Sequence, residues 1–141
     1  MKHLIFPIIL LIQMQFGFAQ PGTLDSSFAN KGILIGKGYT GSCRDLLVQK
    51  DQKIIAAGEG GYENLGGFLL VRYNNNGTPD ISFGNEGRIV TSFENALGNY
   101  FRKATLQGDG KILAVGYIYL GSNIGNNIGI ARYNDDGRLD S

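Results

Sequence analysis

The densest run of oxygen donors in the chain is Asn74-Asn-Asn-Gly-Thr-Pro-Asp80, echoed by Asn134-Asp-Asp-Gly-Arg-Leu-Asp140. Hard cations take carboxylate and amide oxygens, so Asn74, Asn76, Asp80, Asn134, Asp136 and Asp140 are the calcium candidates. Their spacing departs from the twelve-residue calcium loop, with glycine fourth rather than sixth and no glutamate at the end. The simpler reading is a turn held by its own Asn and Asp side chains, with Asp25 and Asp80 capping through local backbone hydrogen bonds. Glu59 and Glu63, with Tyr62 between them, are the one carboxylate pair that invites a glycosidase reading. The matching loop of the second half carries Tyr117, Tyr119 and Leu120 instead, so the pair reads as a solvated loop. Tyr62, Tyr117 and Tyr119 are candidate ligand contacts, because a phenol ring can stack on a sugar, as can Tyr100 and Phe101; ordinary packing is the alternative.

Arg72 and Arg132 occupy the same place in two similar segments. They could line an anion-binding channel, but an ion pair with the aspartate of a recurring Leu-Asp-x-Ser-Phe motif explains the recurrence architecturally. Cys43 is the only cysteine and reads as a half-buried small residue beside Asp45. Without a histidine base it has no standard route to a thiolate nucleophile. No residue is assigned a catalytic, cofactor or firm metal-binding role, and no cofactor is expected.

The elements that must position these residues follow a leader. Lys2, the apolar stretch from Leu4 through Phe18, and small residues at Gly17 and Ala19 read as a secretory signal over 1–19, cleaved after Ala19. Its core is short for a ~20-residue span and is interrupted by Pro7 and Gln13, so no membrane span is expected after its removal. Removal takes away Lys2 and the only histidine, His3, leaving 12 basic and 12 acidic side chains. That balance, with basic residues scattered singly, disfavours nucleic acid and anionic lipid as partners.

Self-similarity dominates what remains. Gly22–Gly32 and Gly77–Gly87 agree at seven of eleven positions, with an offset of 55. Leu47–Gly58 matches Thr105–Gly116 at an offset of 58, and Arg72-Tyr-Asn-x-x-Gly77 recurs as Arg132-Tyr-Asn-x-x-Gly137 at 60. The spacing predicts a first β repeat over 20–76, a second over 77–136, and the start of a truncated third over 137–141. Short apolar runs bounded by Gly, Asn and Asp predict four strands per copy. These are Gly32–Ile35, Leu46–Gln49, Lys53–Ala57 and Phe68–Tyr73, then Arg88–Phe93, Ala104–Gln107, Lys111–Val115 and Gly129–Tyr133. Asp51-Gln52 and Asp109-Gly110 are expected to make two-residue hairpin turns. Nearly continuous apolar runs such as Phe68-Leu-Leu-Val require sheets covered on both faces. The fold class expected is all-β: two four-stranded antiparallel, blade-like repeats of an incomplete β-propeller, with a flat β-solenoid as the runner-up.

At Gly77-Thr-Pro-Asp80-Ile-Ser-Phe83-Gly-Asn-Glu-Gly87, Gln107–Gly116, Arg132-Tyr-Asn-Asp-Asp-Gly137 and their first-copy counterparts, the chain resembles the delta-60 repeat family. The resemblance implies predicted β-propeller blades in large exported bacterial proteins, secreted or at the cell surface. It implies no common enzymatic activity and no transferable site. The expected function is thus a non-enzymatic exported propeller segment that acts as a structural or binding scaffold within a longer surface or secreted protein. Its expected partners are a protein or a glycan. Two blades cannot close a ring that needs at least about four, so a fragment of a longer protein or a homo-oligomer is expected. The alternatives are a fragment of a propeller-type carbohydrate-active hydrolase and a truncated, non-functional reading frame.

Overall fold

A computed structural model describes residues 22–37, 40–62 and 65–141, without the side chains of Tyr62 and Leu65. The expected leader, its cleavage point after Ala19, and Glu63 lie outside the described residues. Seven strands follow one another: β1 (Thr40–Val48), β2 (Ile54–Tyr62), β3 (Leu65–Tyr73), β4 (Arg88–Thr91), β5 (Gly98–Leu106), β6 (Ile112–Tyr119) and β7 (Asn126–Tyr133). They build two antiparallel sheets in chain order, β1-β2-β3-β4 and β5-β6-β7. The fold is all-β, in agreement with the repeat pattern.

Several details differ from the sequence expectation. Gly32–Ile35 forms no strand, only an isolated bridge between Asn30 and Ile33. Its counterpart in the second copy, β4, pairs backwards with β3, Phe68 opposite Thr91 and Val71 opposite Arg88. The fourth strand of a sheet therefore comes from the start of the following copy, and Ile33–Ile35 pairs with none of the described strands. For the same reason the second sheet has three strands rather than four. The strands are also longer than the apolar runs, because glycines read as breakers continue the ladder; Gly60 pairs with Gly67 and Gly61 with Gly66.

The hairpin loops are wider by one residue than a two-residue turn. Gln49 N–H donates to Lys53 O at 2.9 Å and Gln107 N–H to Lys111 O at 2.8 Å, enclosing three-residue loops. The last residue of each takes the left-handed conformation, Gln52 at φ 67° and Gly110 at φ 91°, as a type I turn with a following bulge requires.

The first strand of each sheet, β1 and β5, carries a bulge, between Cys43 and Asp45 and between Phe101 and Lys103. The bulge drives a carbonyl oxygen, of Ser42 or Tyr100, against the α-carbon of the facing residue. A Cβ at Gly58 or Gly116 would overlap that oxygen. This recurrent glycine is a steric consequence of the bulge.

One continuous core joins the sheets. Ile55, Ala57, Phe68 and Leu70 of the first sheet meet Phe101, Ala104, Ala114 and Ala131 of the second, all buried. Phe68 meets Phe93 and Phe101 edge-on, with ring centroids 5.1 and 5.6 Å away, a favourable aromatic arrangement. The Tyr133 hydroxyl donates to Thr91 Oγ1 at 2.7 Å, tying β7 to β4 across the interface. Burial pushes the Tyr133 phenol up to about 12, against the opposing effect of that hydrogen bond. Small alanines facing large aromatics let the sheets approach closely, which a stack of twisted sheets needs.

Candidate functional site

Of the polar groups that recur in both copies, those of the first converge on the seam between the sheets. Arg72 on β3 has a side chain only 4% exposed. Its Nε donates to Asp80 Oδ2 at 2.7 Å and its Nη1 to Gln49 Oε1 at 3.3 Å. The same Nη1 also donates to the Asp135 carbonyl of the second copy, and the Phe83 ring covers the guanidinium at 4.4 Å. Asp80 is further held by Lys53 Nζ at 3.2 Å, and its Oδ1 accepts from Ser82 N–H at 3.1 Å and Ser82 Oγ at 2.6 Å. Burial by itself would raise the Asp80 carboxyl. The Ser82 and Lys53 hydrogen bonds and the Arg72 charge outweigh it and hold the group at about 2. Arg72 is thus the expected ion-pair residue, enclosed in the seam. In the second copy Arg132 Nε donates to Asp140 Oδ2 at 2.6 Å with Arg132 half exposed. The Lys111 hydrogen bond is the chief cause holding Asp140 below the usual carboxylate range.

The calcium candidates are occupied locally. Asn76 Oδ1 accepts from Thr78 N–H at 3.0 Å and Thr78 Oγ1 at 2.7 Å, while Asn74 Nδ2 donates to Thr78 Oγ1 at 3.0 Å. Asp136 Oδ1 accepts from Arg138 N–H at 3.0 Å, Asn134 closes the same turn through its backbone, and Asp80 and Asp140 hold their arginines. Asp25 caps its turn as expected, accepting from Ser27 N–H at 2.9 Å. Among the described residues, no group of three or more His, Cys, Asp or Glu side chains is placed to hold a metal ion.

The remaining candidates are dispersed. Glu59 receives Arg44 Nε at 3.1 Å; Glu63 and the Tyr62 side chain lie outside the described residues. Tyr117 stacks on Tyr100, centroids 4.5 Å apart, with the Arg102 guanidinium 4.8 Å from its ring. The Tyr119 hydroxyl lies 3.4 Å from Ser122 Oγ. Phe101 is fully buried in the core. Cys43 is exposed rather than half-buried; it keeps its place in the ladder opposite Gly58, on the strand that opens the first sheet, and its thiol reaches the Asp45 carbonyl at 3.3 Å.

A feature not read from the sequence is a cleft of about 470 Å³ between loops 49–52 and 107–110. Val48 and Leu106 give it an apolar lining, and Lys50, Asp51, Asp109 and Asp135 add charged groups. Lys50 Nζ crosses to Gly108 O at 3.1 Å. Gln107 Oε1 is buried here without a hydrogen-bond partner. The matching Gln-x-Asp segments were the available signal, since loops at equivalent positions of stacked sheets must fall side by side. An apolar lining with mixed charges suits binding of a polar ligand or a protein loop.

Residues 49–83 and 107–141 each match the family model described as Domain of unknown function (DUF5122) beta-propeller. Each match starts in the β1–β2 or β5–β6 loop and ends after the Arg–Asp pair of its copy. No curated protein and no solved structure matches the chain.

Proposed function

We propose that this chain, built from two β-propeller repeats, is an exported, non-enzymatic structural or binding scaffold of the delta-60 type. Its outward loops and the cleft between them would meet a protein or a glycan at the cell surface or outside the cell. One observation carries the reading. The polar side chains common to both copies, Gln49, Arg72 and Asp80 with Arg132 and Asp140 of the second, are used to hold strands, turns and sheets together. The acids outside that network do not converge with a nucleophile or a base among the described residues, whereas an active site requires such convergence.

Export is supported by the leader pattern at 1–19. Expression in a Gram-negative host followed by N-terminal sequencing of the periplasmic product should return Gln20 as the first residue. A product retaining Met1 in the cytoplasm would refute export. Chromogenic glycosides offered to the purified chain should show no turnover above buffer. Hydrolysis that disappears in Glu59→Gln would establish the hydrolase alternative instead.

A further inference from the structure

The internal contact between the sheets is asymmetric: one face of the first sheet packs on the opposite face of the second. The molecule carries a second, uncovered set of both halves. On the second sheet, Ile128 and Ile130 are 80% and 58% exposed, whereas Phe68 and Leu70, their counterparts in the first, are 0% exposed. Beside them stand half-buried Val115 and Tyr117, each directly in register with one of the two. On the first sheet, Leu46 is 59% exposed, whereas its counterpart Ala104 is 3% exposed in the internal seam. Val48 beyond it is likewise exposed.

The strand edges tell the same story. β4 completes the first sheet by pairing Leu70 with Ile89 and Phe68 with Thr91. The counterpart of β4 is Ile33–Gly36, and it is already seated where the fourth strand of a preceding sheet would lie. Ala29 N–H donates to Asn76 O at 2.8 Å just as Gly84 N–H donates to Asp136 O at 3.1 Å. Leu34 packs on Val71 and Tyr73 as Ile89 packs on the inter-sheet core. Among the described residues no strand pairs with this segment or with the outer edge of β7.

Polar groups mark the same vacancy. In the seam, the Asp135 carbonyl draws Arg72 inward onto Gln49 Oε1. At the outer position Arg132 is half exposed and Gln107 Oε1 is buried without a partner. The residue at the place of Asp135 is Asn75, exposed on the first sheet's turn.

We infer that a second copy of the chain docks head to tail on the first and repeats the internal seam between molecules. Ile128, Ile130, Val115 and Tyr117 of one copy cover Leu46 and Val48 of the next. Ile33–Gly36 of that next copy adds to β7 antiparallel, Ala131 opposite Ile33, Ile130 opposite Leu34 and Ile128 opposite Gly36. Its Asn75 carbonyl supplies Arg132 with the acceptor that turns the guanidinium onto Gln107. Such a contact is heterologous, and rings of sheets close at about four to eight members. With two sheets per copy the assembly contains roughly two to four copies.

The test uses native mass spectrometry and sedimentation velocity on the purified chain and on two surface variants, Ile130→Lys and Leu46→Lys, with circular dichroism as the folding control. The wild type should form a discrete oligomer, and each folded variant should be a monomer. An equimolar mixture of the variants should yield a 1:1 dimer and nothing larger, because each retains the face the other has lost. A mixture that stays monomeric overturns the inference even where the wild type precipitates. So does a wild type that stays monomeric, or a single variant that still self-associates.

Discussion

Replacing Asp80 by asparagine removes the anion from the seam and leaves Arg72 in place. The carboxyl is held at about 2 against an ordinary 3.8. At about 1.4 kcal/mol per unit this difference corresponds to roughly 2 kcal/mol of stability. A lowered pKa in the folded state means that this contribution is complete above pH 3.8 and is lost as the pH falls through about 2. At neutral pH the Asp80→Asn cost should exceed that figure, at about 3–5 kcal/mol, because a nearly buried guanidinium is left with only the exposed Asp135 carboxylate, 3.6 Å away, as counter-charge. The same change at Asp140 should cost less than about 1 kcal/mol, since half-exposed Arg132 can turn to water. Urea unfolding followed by circular dichroism, from pH 7 to pH 2, measures both. The Ile130→Lys background keeps any assembly from burying Asp140. The Asp80→Asn variant should show a shallower acid dependence than its parent below pH 4, and Asp140→Asn should nearly superimpose on it at neutral pH. Equal costs for the two substitutions, or an unchanged acid slope in Asp80→Asn, would refute the assignment of the buried pair to the first copy alone.

The Tyr133→Phe substitution should cost about 1 kcal/mol by removing the hydrogen bond to Thr91. It should also abolish the last step, near pH 12, of an ultraviolet tyrosine titration. Because the folded phenol is raised, its contribution is intact below pH 10 and is lost as the pH climbs towards 12; a wild-type titration complete by pH 11 would contradict its burial. Gly116→Ala should destabilise by more than about 2 kcal/mol, since its methyl group meets the Tyr100 carbonyl oxygen and the Phe68 ring. Gly108→Ala, whose methyl group meets nothing within 4 Å, should stay within about 0.5 kcal/mol of wild type by thermal melting.

The repeat made the fold class legible, because Asp-x-Ser-Phe, Gln-x-Asp and Arg-Tyr-Asn recur in order and each marks one turn or one strand end. The Arg72–Asp80 pair was legible for the same reason: a charged residue repeated beside an apolar run needs a repeated partner. Strand lengths were less so. Gly58, Gly60 and Gly67 look like breakers, yet they stand where bulged carbonyls or neighbouring backbone leave no room for a Cβ. The partner of Arg88–Thr91 was not legible, since a strand opening one copy pairs equally well on paper with either sheet. Only the stacking of Ile89 into the inter-sheet core resolves the choice. The cleft was hidden because its lining comes from loops some 58 residues apart, whose adjacency depends on the stacking of the sheets.

That β4 is borrowed from the following copy has a consequence for taking the protein apart. The unit that repeats in the sequence and the unit that folds as a sheet are circular permutations of each other, displaced by one strand. An excision at the motif boundary, 22–76, would yield three paired strands and one stray segment, with Phe68 and Leu70 uncovered and Arg72 deprived of Asp80. An excision over 40–91 would keep all four strands of one ladder and the ion pair together. A tandem duplication in whole periods is indifferent to the choice, because every new copy donates its first strand backwards and accepts one from the next. Such a chain can lengthen or shorten by one period without redesigning any seam, and a recombinant array should be cut in the phase of the ladder.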